Sequence, residues 1–381
     1  MSLDDLPSST RDVRSTVADD ATVTITVELR KLAPPGDDEV VVAVGAAPIN
    51  PSDIGVLFAG GDVTRAARVD GDVPTVRVPL HPAALRALRA RVGRAMPAGN
   101  EGAGIVVAAG ASPRAQALVG QVVAFLSGSA YAEHRTLHVD QCLAMPPGTT
   151  AEQAASAFVN PLTALGMVET MRAEGHRALV HTVGASNLGL MLQRICRADG
   201  IDLVNLVRRP EQAELLRAEG TEWVVDTSAE SFPDDLVAAL KATGATIAFD
   251  AIGGGTLVDT LLRSMERALS DDAEQFSTYG SATLKQVYTY GGLDRSPTVL
   301  KREYGMAWAV GGWLLTYFLM KIGQEAGAAL RQRVADEITT TFASAYGERI
   351  SLDQIVDPEA IAHYTKVATG EKALVVPAPG G

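Results

Sequence analysis

The sequence is poor in cysteine, in positive charge and in long apolar runs. Only Cys142 and Cys196 occur among the 381 residues. Two cysteines exclude a disulfide framework or a four-cysteine zinc lobe, and they fit a reducing cytoplasm. The formal net charge of −12 argues against a nucleic-acid partner, which would require a basic face. The first residues, MSLDDLPSSTRD, lack the apolar stretch of a signal peptide. We therefore expect a cytoplasmic protein that binds no nucleic acid.

One segment, Met306–Met320, carries no charge over fifteen residues. It is too short to span a bilayer, and a Gly-Gly pair lies in its middle. We interpret it as an edge strand over 306–314 that runs into a helix, and we expect no membrane partner. An uncovered apolar strand invites pairing with another strand. The pattern therefore predicts a homodimer formed through 306–314.

The chain is otherwise that of an ordinary globular protein, 47% hydrophobic and 20% charged, and long enough for two domains. Short β-like runs separated by Gly and Pro predict a twisted, barrel-like β domain in the first 150 residues. From about Asn160, strand and helix patterns alternate, as in a doubly wound parallel sheet. The first half has β-like runs at 22–30, 39–49, 104–109, 122–125 and 131–139; the second half has them at 179–183, 203–207, 223–226, 246–251, 286–290 and 306–314. The closing TGEKALVVPAP returns to β character.

Two segments look like insertions. Residues 61–98 begin as an acidic, proline-punctuated loop and continue as a predicted helix near 81–95. That helix carries Arg86, Arg89, Arg91 and Arg94, and it could be a solvated face or could bind phosphate or a membrane surface. Residues 264–287 lengthen the segment before the fifth strand and carry Tyr279 and Lys285.

The most informative stretch is ALVHTVGASNLGLMLQRICRADG, residues 178–200. An apolar run is followed by a turn of small residues and then by apolar residues at helical spacing. This is the βαβ pattern in which a pyrophosphate lies on a helix N-terminus. Ser186 stands where the middle glycine of a G-x-G-x-x-G string would be, and its hydroxyl could itself donate to a phosphate. The alternative is a packing turn that binds no ligand.

Arg208 and Arg209 follow the second strand of this unit, where an acidic residue would bind the ribose hydroxyls of NAD. A hydrogen bond to a charged group contributes roughly 1.5–3 kcal/mol, so contacts with a 2′-phosphate would favour NADPH by about one to four powers of ten. The alternative is a solvated arginine pair on a loop, since Pro210 comes next. We predict an NADPH site.

At this point the sequence resembles a family, the medium-chain dehydrogenase/reductases, and within it the zinc-independent quinone oxidoreductase-like branch. The resemblance extends over nearly the full length. The matching pieces are INPSD (49–53), GNEGAGIVVAAG (99–110), AYAEH (130–134), NPLTALGMVE (160–169), VGASNLG (183–189), FDAIGG (249–254), YTYGGL (288–293) and ATGEKALV (368–375).

The resemblance implies an α/β fold with a GroES-like β-barrel domain (1–161 and 319–381) and a Rossmann NADP-binding domain (162–318), with the cofactor in the cleft between them. Carried over by position, the residues expected to contact the cofactor are Thr163, Gly184, Ser186, Asn187, Leu188, Gly189, Arg208 and Arg209. Those expected to line its nicotinamide side are Ile252, Gly253, Tyr290 and Gly291.

The residues argue against a metal. Zinc-dependent relatives place a cysteine, a histidine and a third ligand at positions that match Asn50, Asn100 and about Val159 here. Glu101 alone does not make a tetrahedral N/S site. His134 and His138 lie four apart in a predicted strand, without an H-E-x-x-H helix, and His181 is expected to be a core residue. The chemistry implied is hydride transfer from NADPH to a quinone or to a C=C bond conjugated with a carbonyl.

Asn50 is the first candidate for the hydrogen-bond donor to the substrate oxygen, with turn formation in INPSD as its alternative role. Enoyl-thioester reductases of this superfamily use a tyrosine after INPSD, which FAGGDVTR lacks. Tyr279, Tyr288 and Tyr290 could donate the proton, although each could be structural, and Tyr131 is assigned to packing. Two alternatives remain open: an enoyl-thioester reductase whose 81–95 helix holds CoA phosphates, and an NADPH-binding protein without turnover. The sequence gives a hydrolase poor support, because the turn is one residue too long for G-x-S-x-G.

Overall fold

The computed structural model describes residues 6–271, 277–366 and 372–377, which form two compact units. One unit contains the described residues up to Val159 and those from Arg331 onward; the other is Asn160–Leu330. The second boundary, at 330/331, lies twelve residues after the boundary expected at 318/319. The reason is local: Phe318 packs on Trp313 with ring centroids 5.7 Å apart, so the start of the following helix stays with the parallel-sheet unit.

The first unit is mostly β, as predicted. Its elements before residue 159 are β1 (Ser9–Val17), β2 (Thr22–Lys31), β3 (Glu39–Pro48), α1 (Pro51–Phe58), β4 (Ala67–Val69), β5 (Thr75–Pro79), α2 (Ala84–Leu88), β6 (Ala95–Pro97), β7 (Glu101–Ala109), α3 (Pro113–Gln116), β8 (Val122–Leu126), β9 (His134–His138), β10 (Cys142–Ala144) and α4 (Ala151–Ala154). Short 3₁₀ turns occur at Val63–Arg65, Val139–Gln141 and, later, Asp353–Val356.

The second unit alternates strands and helices. Its elements are α5 (Val159–Ala173), β11 (Leu179–His181), α6 (Asn187–Asp199), β12 (Leu203–Val207), α7 (Pro210–Ala218), β13 (Val224–Asp226), α8 (Phe232–Thr243), β14 (Ile247–Asp250), α9 (Leu257–Ser270), β15 (Lys285–Thr289), β16 (Trp308–Gly312) and α10 (Leu315–Asp336). Helix α10 is interrupted at Gly323, whose φ is +84°. The chain then returns to the first unit with β17 (Tyr346–Ile350), α11 (Pro358–Tyr364) and β18 (Lys372–Val375).

Two sheets form the first unit. One has the order β4-β5-β2-β1-β6; the other has the order β10-β8-β7-β3-β18-β17, with β9 also paired to β3. Buried β-branched residues alternate along β2, as at Val23 and Ile25, whereas β3 buries the consecutive residues Val40, Val41 and Val42. The returning strand β18 pairs with β3 through Leu374 and Pro48, which confirms that the closing segment has β character.

The second unit contains one parallel sheet of order β13-β12-β11-β14-β15-β16. Renumbered within the unit, this is 3-2-1-4-5-6, the order of a dinucleotide-binding fold. Its central strands are short buried apolar runs, as expected for a parallel sheet covered on both faces. All six predicted strands of this half are present, and the predicted edge strand over 306–314 is β16. Among the described helices, none combines the length and the apolar character needed to cross a bilayer.

The prediction for residues 61–98 was wrong. This segment is not a loop followed by one long helix; it supplies β4, β5 and β6 to a sheet, and only the five residues of α2 are α-helical. Gly93 adopts φ +73°, which interrupts the arginine-rich stretch. Arg91 turns inward, where its Nη2 donates to the Val56 carbonyl at 2.9 Å and to Ser15 Oγ at 3.2 Å. The four arginines therefore do not share one helical face.

The segment 264–287 also has a structural role. Lys285 is fully buried, and its Nζ donates to Glu266 Oε2 at 2.6 Å and to Ser281 Oγ at 2.7 Å. Burial alone would raise the pKa of the Glu266 carboxyl, but hydrogen bonds from Lys285, Ser281 and Ser270 lower it to about 2. Tyr279 is 73% exposed. Within this segment, residues 272–276 lie outside the described part of the chain.

Candidate cofactor and active site

The predicted dinucleotide turn lies between β11 and α6, at the carboxyl end of the sheet. Gly184 approaches β12 so closely that a Cβ there would lie 2.7 Å from the Asn205 side chain. A Cβ on Gly189 would overlap the Gly184 carbonyl oxygen. Both glycines are therefore required for the close approach of helix to strand, which is the role of glycine in such turns.

Ser186 is the N-cap of α6, which explains why the middle glycine can be replaced. Its Oγ accepts a hydrogen bond from the Gly189 N–H at 3.0 Å, and its own O–H stays available as a donor. Asn187 and Leu188 begin the first turn of this helix; Asn187 is half-buried and Leu188 buried. The N-terminus of a helix is the positive end of its dipole, which favours an anion.

Arg208 and Arg209 lie between β12 and α7, and both side chains are exposed. The Arg208 N–H donates to Gln212 Oε1 at 3.1 Å, and Arg209 is the N-cap residue of α7. Because β12 is next to β11 in the sheet, the arginines follow the strand beside the glycine turn. This is the position from which a 2′-phosphate would be contacted.

Asp250, at the end of β14, holds the segment predicted to line the nicotinamide, and it was not singled out from the sequence. This fully buried carboxylate accepts hydrogen bonds from Thr182 Oγ1 at 3.0 Å and from the N–H groups of Ile252 and Gly253, both at 2.9 Å. Thr182 Oγ1 in turn accepts from the Ala251 N–H at 2.9 Å. The only sequence signal was an acidic residue inside FDAIGG; its partner Thr182 lies 68 residues away.

The four residues expected on the nicotinamide side come together. A Cβ on Gly253, whose φ is +84°, would lie 3.0 Å from the Gly291 carbonyl oxygen, and one on Gly291 would lie 2.6 Å from the Ala251 carbonyl oxygen. The Tyr290 N–H donates to the Asp250 carbonyl at 2.9 Å. The ends of β14 and β15 thus form one tight edge that includes Ile252. Thr163 lies buried in α5, and its contact with a cofactor stays a prediction.

Tyr290 is held by His181, the last residue of β11. Their Oη and Nε2 atoms are 2.7 Å apart, and the two rings stack with centroids 5.9 Å apart. Burial lowers the pKa of His181 to about 3 and raises that of Tyr290, so both are neutral at pH 7. Tyr288 instead donates to Glu174 Oε1 at 2.7 Å, and burial together with that bond raises its pKa to about 12.

In the other unit, Asn50 lies in a buried polar cluster. Its Nδ2 donates to Glu101 Oε1 at 3.0 Å, and its backbone N–H donates to Asp53 Oδ2 at 2.8 Å. Glu101 Oε2 accepts from the N–H groups of Phe158 at 2.8 Å and Val159 at 2.9 Å. Burial raises the pKa of Asp53 to about 6, opposed by the N–H bonds from Asn50 and Asn100.

Lys372 and Tyr346 extend this cluster, and neither was predicted. Lys372 Nζ lies 3.1 Å and Tyr346 Oη 2.8 Å from Ser156 Oγ. Burial lowers the pKa of Lys372, while Glu101 and Asp53 act in the opposite direction. The lysine occurs in the closing ATGEKALV piece, but nothing in its spacing placed it near Asn50.

The positions that match a zinc site come together around Glu101 but do not fit zinc. Asn50 and the backbone of Val159 both donate to this carboxylate, and the Asn100 side chain donates to Ser52 Oγ at 2.9 Å. Amide groups and one carboxylate already satisfied by N–H donors are not a zinc ligand set. Among the described residues, no group of three or more His, Cys, Asp or Glu side chains is arranged to hold a metal.

The chain is similar to individual known proteins, although no family model matches its sequence. The quinone oxidoreductase of Pseudomonas aeruginosa is 29% identical over 161 residues, 42% of this chain and 49% of that protein. The chain thus matches about half the length of this curated relative.

Two solved structures share the fold over nearly their whole length. A crystal structure assigned as an NADPH:quinone reductase from Mesorhizobium loti has a TM-score of 0.71 and 24% identity, and covers 98% of this chain and 99% of that one. The complex of Etr1p with NADP and crotonyl-CoA has a TM-score of 0.66 and 16% identity, and covers 97% of this chain and 99% of that one. The expected GroES-like and Rossmann architecture is confirmed. In sequence the chain is similar to a quinone oxidoreductase over part of its length, and in fold it is similar to NADPH:quinone reductase and enoyl thioester reductase structures over nearly all of it.

Proposed function

We propose that the protein is an NADPH-dependent oxidoreductase that reduces a small electrophile, a quinone or an α,β-unsaturated carbonyl compound, without a metal. The observation that carries the proposal is the convergence at one edge of the parallel sheet. The glycine turn, the arginine pair and the Ile252–Gly253 and Tyr290–Gly291 segments all follow the carboxyl ends of adjacent strands. Ligands of open α/β sheets bind at this edge.

The residues of this edge fit a dinucleotide phosphate. The N-terminus of α6 and the Ser186 hydroxyl would bind the pyrophosphate, while Arg208 and Arg209 would bind the 2′-phosphate. Asp250 fixes the N–H groups of Ile252 and Gly253, which shape the nicotinamide side. When bound, NADPH supplies the hydride.

Metal-free reduction requires a substrate whose developing negative charge is delocalised onto oxygen. A hydrogen-bond donor at that oxygen would stabilise the charge. Asn50 is proposed for this role: Glu101 takes one of its two Nδ2–H groups, and the other remains for the substrate. Its burial orients the amide rigidly.

Absorbance at 340 nm tests the proposal, with NADPH and a panel of quinones and enones. We expect steady NADPH oxidation with at least one of them, and a lower kcat for Asn50→Ala than for the matched Asn100→Ala variant. NADPH binding without oxidation of any electrophile would support the alternative of a binding protein without turnover, and would contradict the enzyme proposal.

A second candidate is an enoyl-thioester reductase. The Etr1p structure with NADP and crotonyl-CoA shares the fold over almost the entire chain, which favours this substrate class. The sequence lacks the tyrosine after INPSD that such enzymes use. The arginine helix expected to hold CoA phosphates is not formed, since only Ala84–Leu88 is α-helical there. The same assay with crotonyl thioesters distinguishes the candidates.

We also propose a cytoplasmic homodimer that pairs through β16. This strand ends the sheet, and no partner beyond it occurs among the described residues. Met306, Leu314, Tyr317 and Met320 near it are exposed. An apolar edge of this kind is protected by pairing. The cytoplasmic placement rests on the two free cysteines, which fit a reducing compartment.

A further inference from the structure

The side chains of His181 and Tyr290 together carry one more polar hydrogen than the bond between them uses. Their Nε2 and Oη atoms are 2.7 Å apart, which is the distance of a single hydrogen bond. His181 is fully buried and neutral, so its ring carries one N–H, and the hydroxyl of Tyr290 carries one O–H. Only one of these two hydrogens can lie between Nε2 and Oη. The other, the spare hydrogen, must point elsewhere.

The two tautomers of His181 place the spare hydrogen on different atoms. If Tyr290 donates to Nε2, the ring hydrogen lies on Nδ1, which is buried and has no hydrogen-bond partner among the described residues. If Nε2–H donates to Tyr290, Nδ1 is an unused acceptor and the tyrosine O–H is spare. Among backbone groups, a buried N–H without a partner is rarer than a carbonyl with an unused acceptor site. The same order favours the second tautomer.

The spare O–H belongs to a residue at the edge where the nicotinamide is expected. Tyr290 follows β15 and is half-buried, and its backbone N–H donates to the Asp250 carbonyl at 2.9 Å. The next residue, Gly291, lies so close to Ala251 that a Cβ would be 2.6 Å from its carbonyl oxygen. The tyrosine ring stacks on His181 with centroids 5.9 Å apart. Backbone and ring are therefore both held in place.

We propose that the Tyr290 O–H donates a hydrogen bond to the carboxamide oxygen of the nicotinamide, and that His181 is the positioning residue that turns this O–H outward. The inference rests on the proposed NADPH site and names a side-chain contact within it. The carboxamide oxygen is the acceptor that the spare hydrogen lacks in the protein. A hydrogen bond from Nε2–H also polarises the hydroxyl and strengthens it as a donor. Tyr290 then orients the nicotinamide and transfers no proton.

The binding test compares NADP⁺ with thionicotinamide-NADP⁺, in which a sulfur atom, a weak acceptor, replaces the carboxamide oxygen. Calorimetry gives both Kd values. For the unmodified protein we expect the thio analogue to bind roughly threefold to tenfold more weakly, the factor that one hydrogen bond contributes. In Tyr290→Phe the ratio of the two Kd values should fall to about one. Tyr288→Phe is the matched control, because the Tyr288 hydroxyl donates to Glu174 Oε1 at 2.7 Å, and it should retain the parent ratio.

The tautomer of His181 can be measured in the unmodified protein without any ligand. Selective ¹⁵N labelling of the six histidines, with His181→Phe to assign the resonances, shows which ring nitrogen carries the hydrogen. We expect the hydrogen on Nε2, and a hydrogen on Nδ1 would overturn the inference. This measurement keeps the test decisive even if a tyrosine variant fails to fold.

Binding of 2′,5′-ADP separates this inference from the proposed NADPH site, because this ligand carries the 2′-phosphate and no nicotinamide. Tyr290→Phe should bind it as the parent does; an equal loss of affinity for 2′,5′-ADP and NADP⁺ would overturn the inference, since the effect would not be confined to the nicotinamide. Equal Kd values for NADP⁺ and its thio analogue in the parent would overturn it and leave the site intact. So would parental binding of both by Tyr290→Phe with a lower kcat, since the hydroxyl would then serve the substrate. Binding of neither 2′,5′-ADP nor NADP⁺ would instead contradict the site itself.

Discussion

The Oγ of Ser186 accepts a hydrogen bond from the backbone N–H of Gly189 at 3.0 Å. The serine that interrupts the glycine pattern is therefore the residue that caps α6. Capping explains how the turn keeps its form without a third glycine. It also leaves the serine O–H beside the N–H groups that would bind a pyrophosphate.

Replacing Ser186 by Ala should affect both stability and cofactor binding. Loss of an N-cap costs about 1 kcal/mol of unfolding free energy, and loss of the hydroxyl should lower NADPH affinity by up to about tenfold. Urea unfolding and fluorescence titration measure the two effects. Ser112, which caps α3 by accepting from the Ala115 N–H at 3.2 Å, is the matched control. Ser112→Ala should lower stability only; an equal loss of NADPH affinity there would refute the assignment.

Two adjacent glycines should respond differently to the same change. A Cβ on Gly291 would lie 2.6 Å from the Ala251 carbonyl oxygen, whereas one on Gly292 would meet no atom within 4 Å. Overpacking of this kind costs roughly 1–3 kcal/mol, so Gly291→Ala should destabilise the protein and weaken NADPH binding. Gly292→Ala should remain within about 0.5 kcal/mol of the parent. Similar unfolding midpoints for the two variants would contradict the described edge.

Arg208→Ala should reduce NADPH affinity roughly 10- to 100-fold, since each arginine contact with a phosphate contributes about 1.5–3 kcal/mol. NADH, which lacks the 2′-phosphate, should bind as before. Arg217 is exposed on the same helix-bearing segment and carries the same charge, so Arg217→Ala serves as the control. If Arg217→Ala weakened NADPH binding as much, the effect would reflect general charge and not a specific contact.

The burial of His181 predicts a pH dependence of stability. Its pKa is about 3 in the folded protein and 6.5 in the unfolded chain, so between these values only the unfolded state binds the proton. Unfolding free energy should thus fall as pH drops from 6.5 towards 3, by at most about 1.4 kcal/mol per pH unit from this group.

His181→Gln keeps a hydrogen-bonding group near Tyr290 but does not titrate. Unfolding in urea is measured for parent and variant from pH 7 to pH 4. The unfolding free energy of the parent minus that of the variant should decrease as the pH falls, by at most about 1.4 kcal/mol per pH unit. Asp53, with its pKa raised to about 6, contributes with the opposite sign between pH 6 and 4 in both proteins and cancels in the difference. A difference that does not vary with pH would show that His181 is not buried in neutral form.

Val310→Lys should convert the proposed dimer to a monomer, because a lysine on the edge strand blocks pairing. Sedimentation equilibrium at micromolar concentration measures the mass. Leu29 is 71% exposed on β2, which belongs to a different sheet from β16, and Leu29→Lys should leave the dimer unchanged. A parent protein that is already monomeric at these concentrations would end the proposal.

Sequence patterns predicted the parallel half of the fold well because its strands are buried on both faces. Apolar runs such as Leu203–Val207 have little alternative to being central strands. The five-stranded sheet of the first unit was harder to predict from the sequence. Strand β1 was missed because it buries polar residues: Ser15 Oγ donates to the Leu57 carbonyl, and Asp12 pairs with Arg14 and Arg135. Two of these partners, Leu57 and Arg135, are distant in sequence, so spacing along β1 does not show them.

The same reason limited prediction of the site. The glycine turn is local, so spacing indicates it. Asp250 and Glu101 act through partners 68 and 57 residues away, Thr182 and Phe158, and only the folded chain brings these groups together. For the arginines of 81–95, local spacing predicted a structure that does not form. Helical spacing suggested that they share one face, but Arg91 turns inward to donate to Ser15 and Val56, which are distant in sequence.

The most direct test of the central claim is a fluorescence titration of the purified protein with NADPH and, separately, with NADH. The proposed site predicts micromolar binding of NADPH and at least tenfold weaker binding of NADH, because only NADPH offers a 2′-phosphate to Arg208 and Arg209. Binding of neither nucleotide would show that the turn between β11 and α6 serves packing alone, and the oxidoreductase proposal would fall with it.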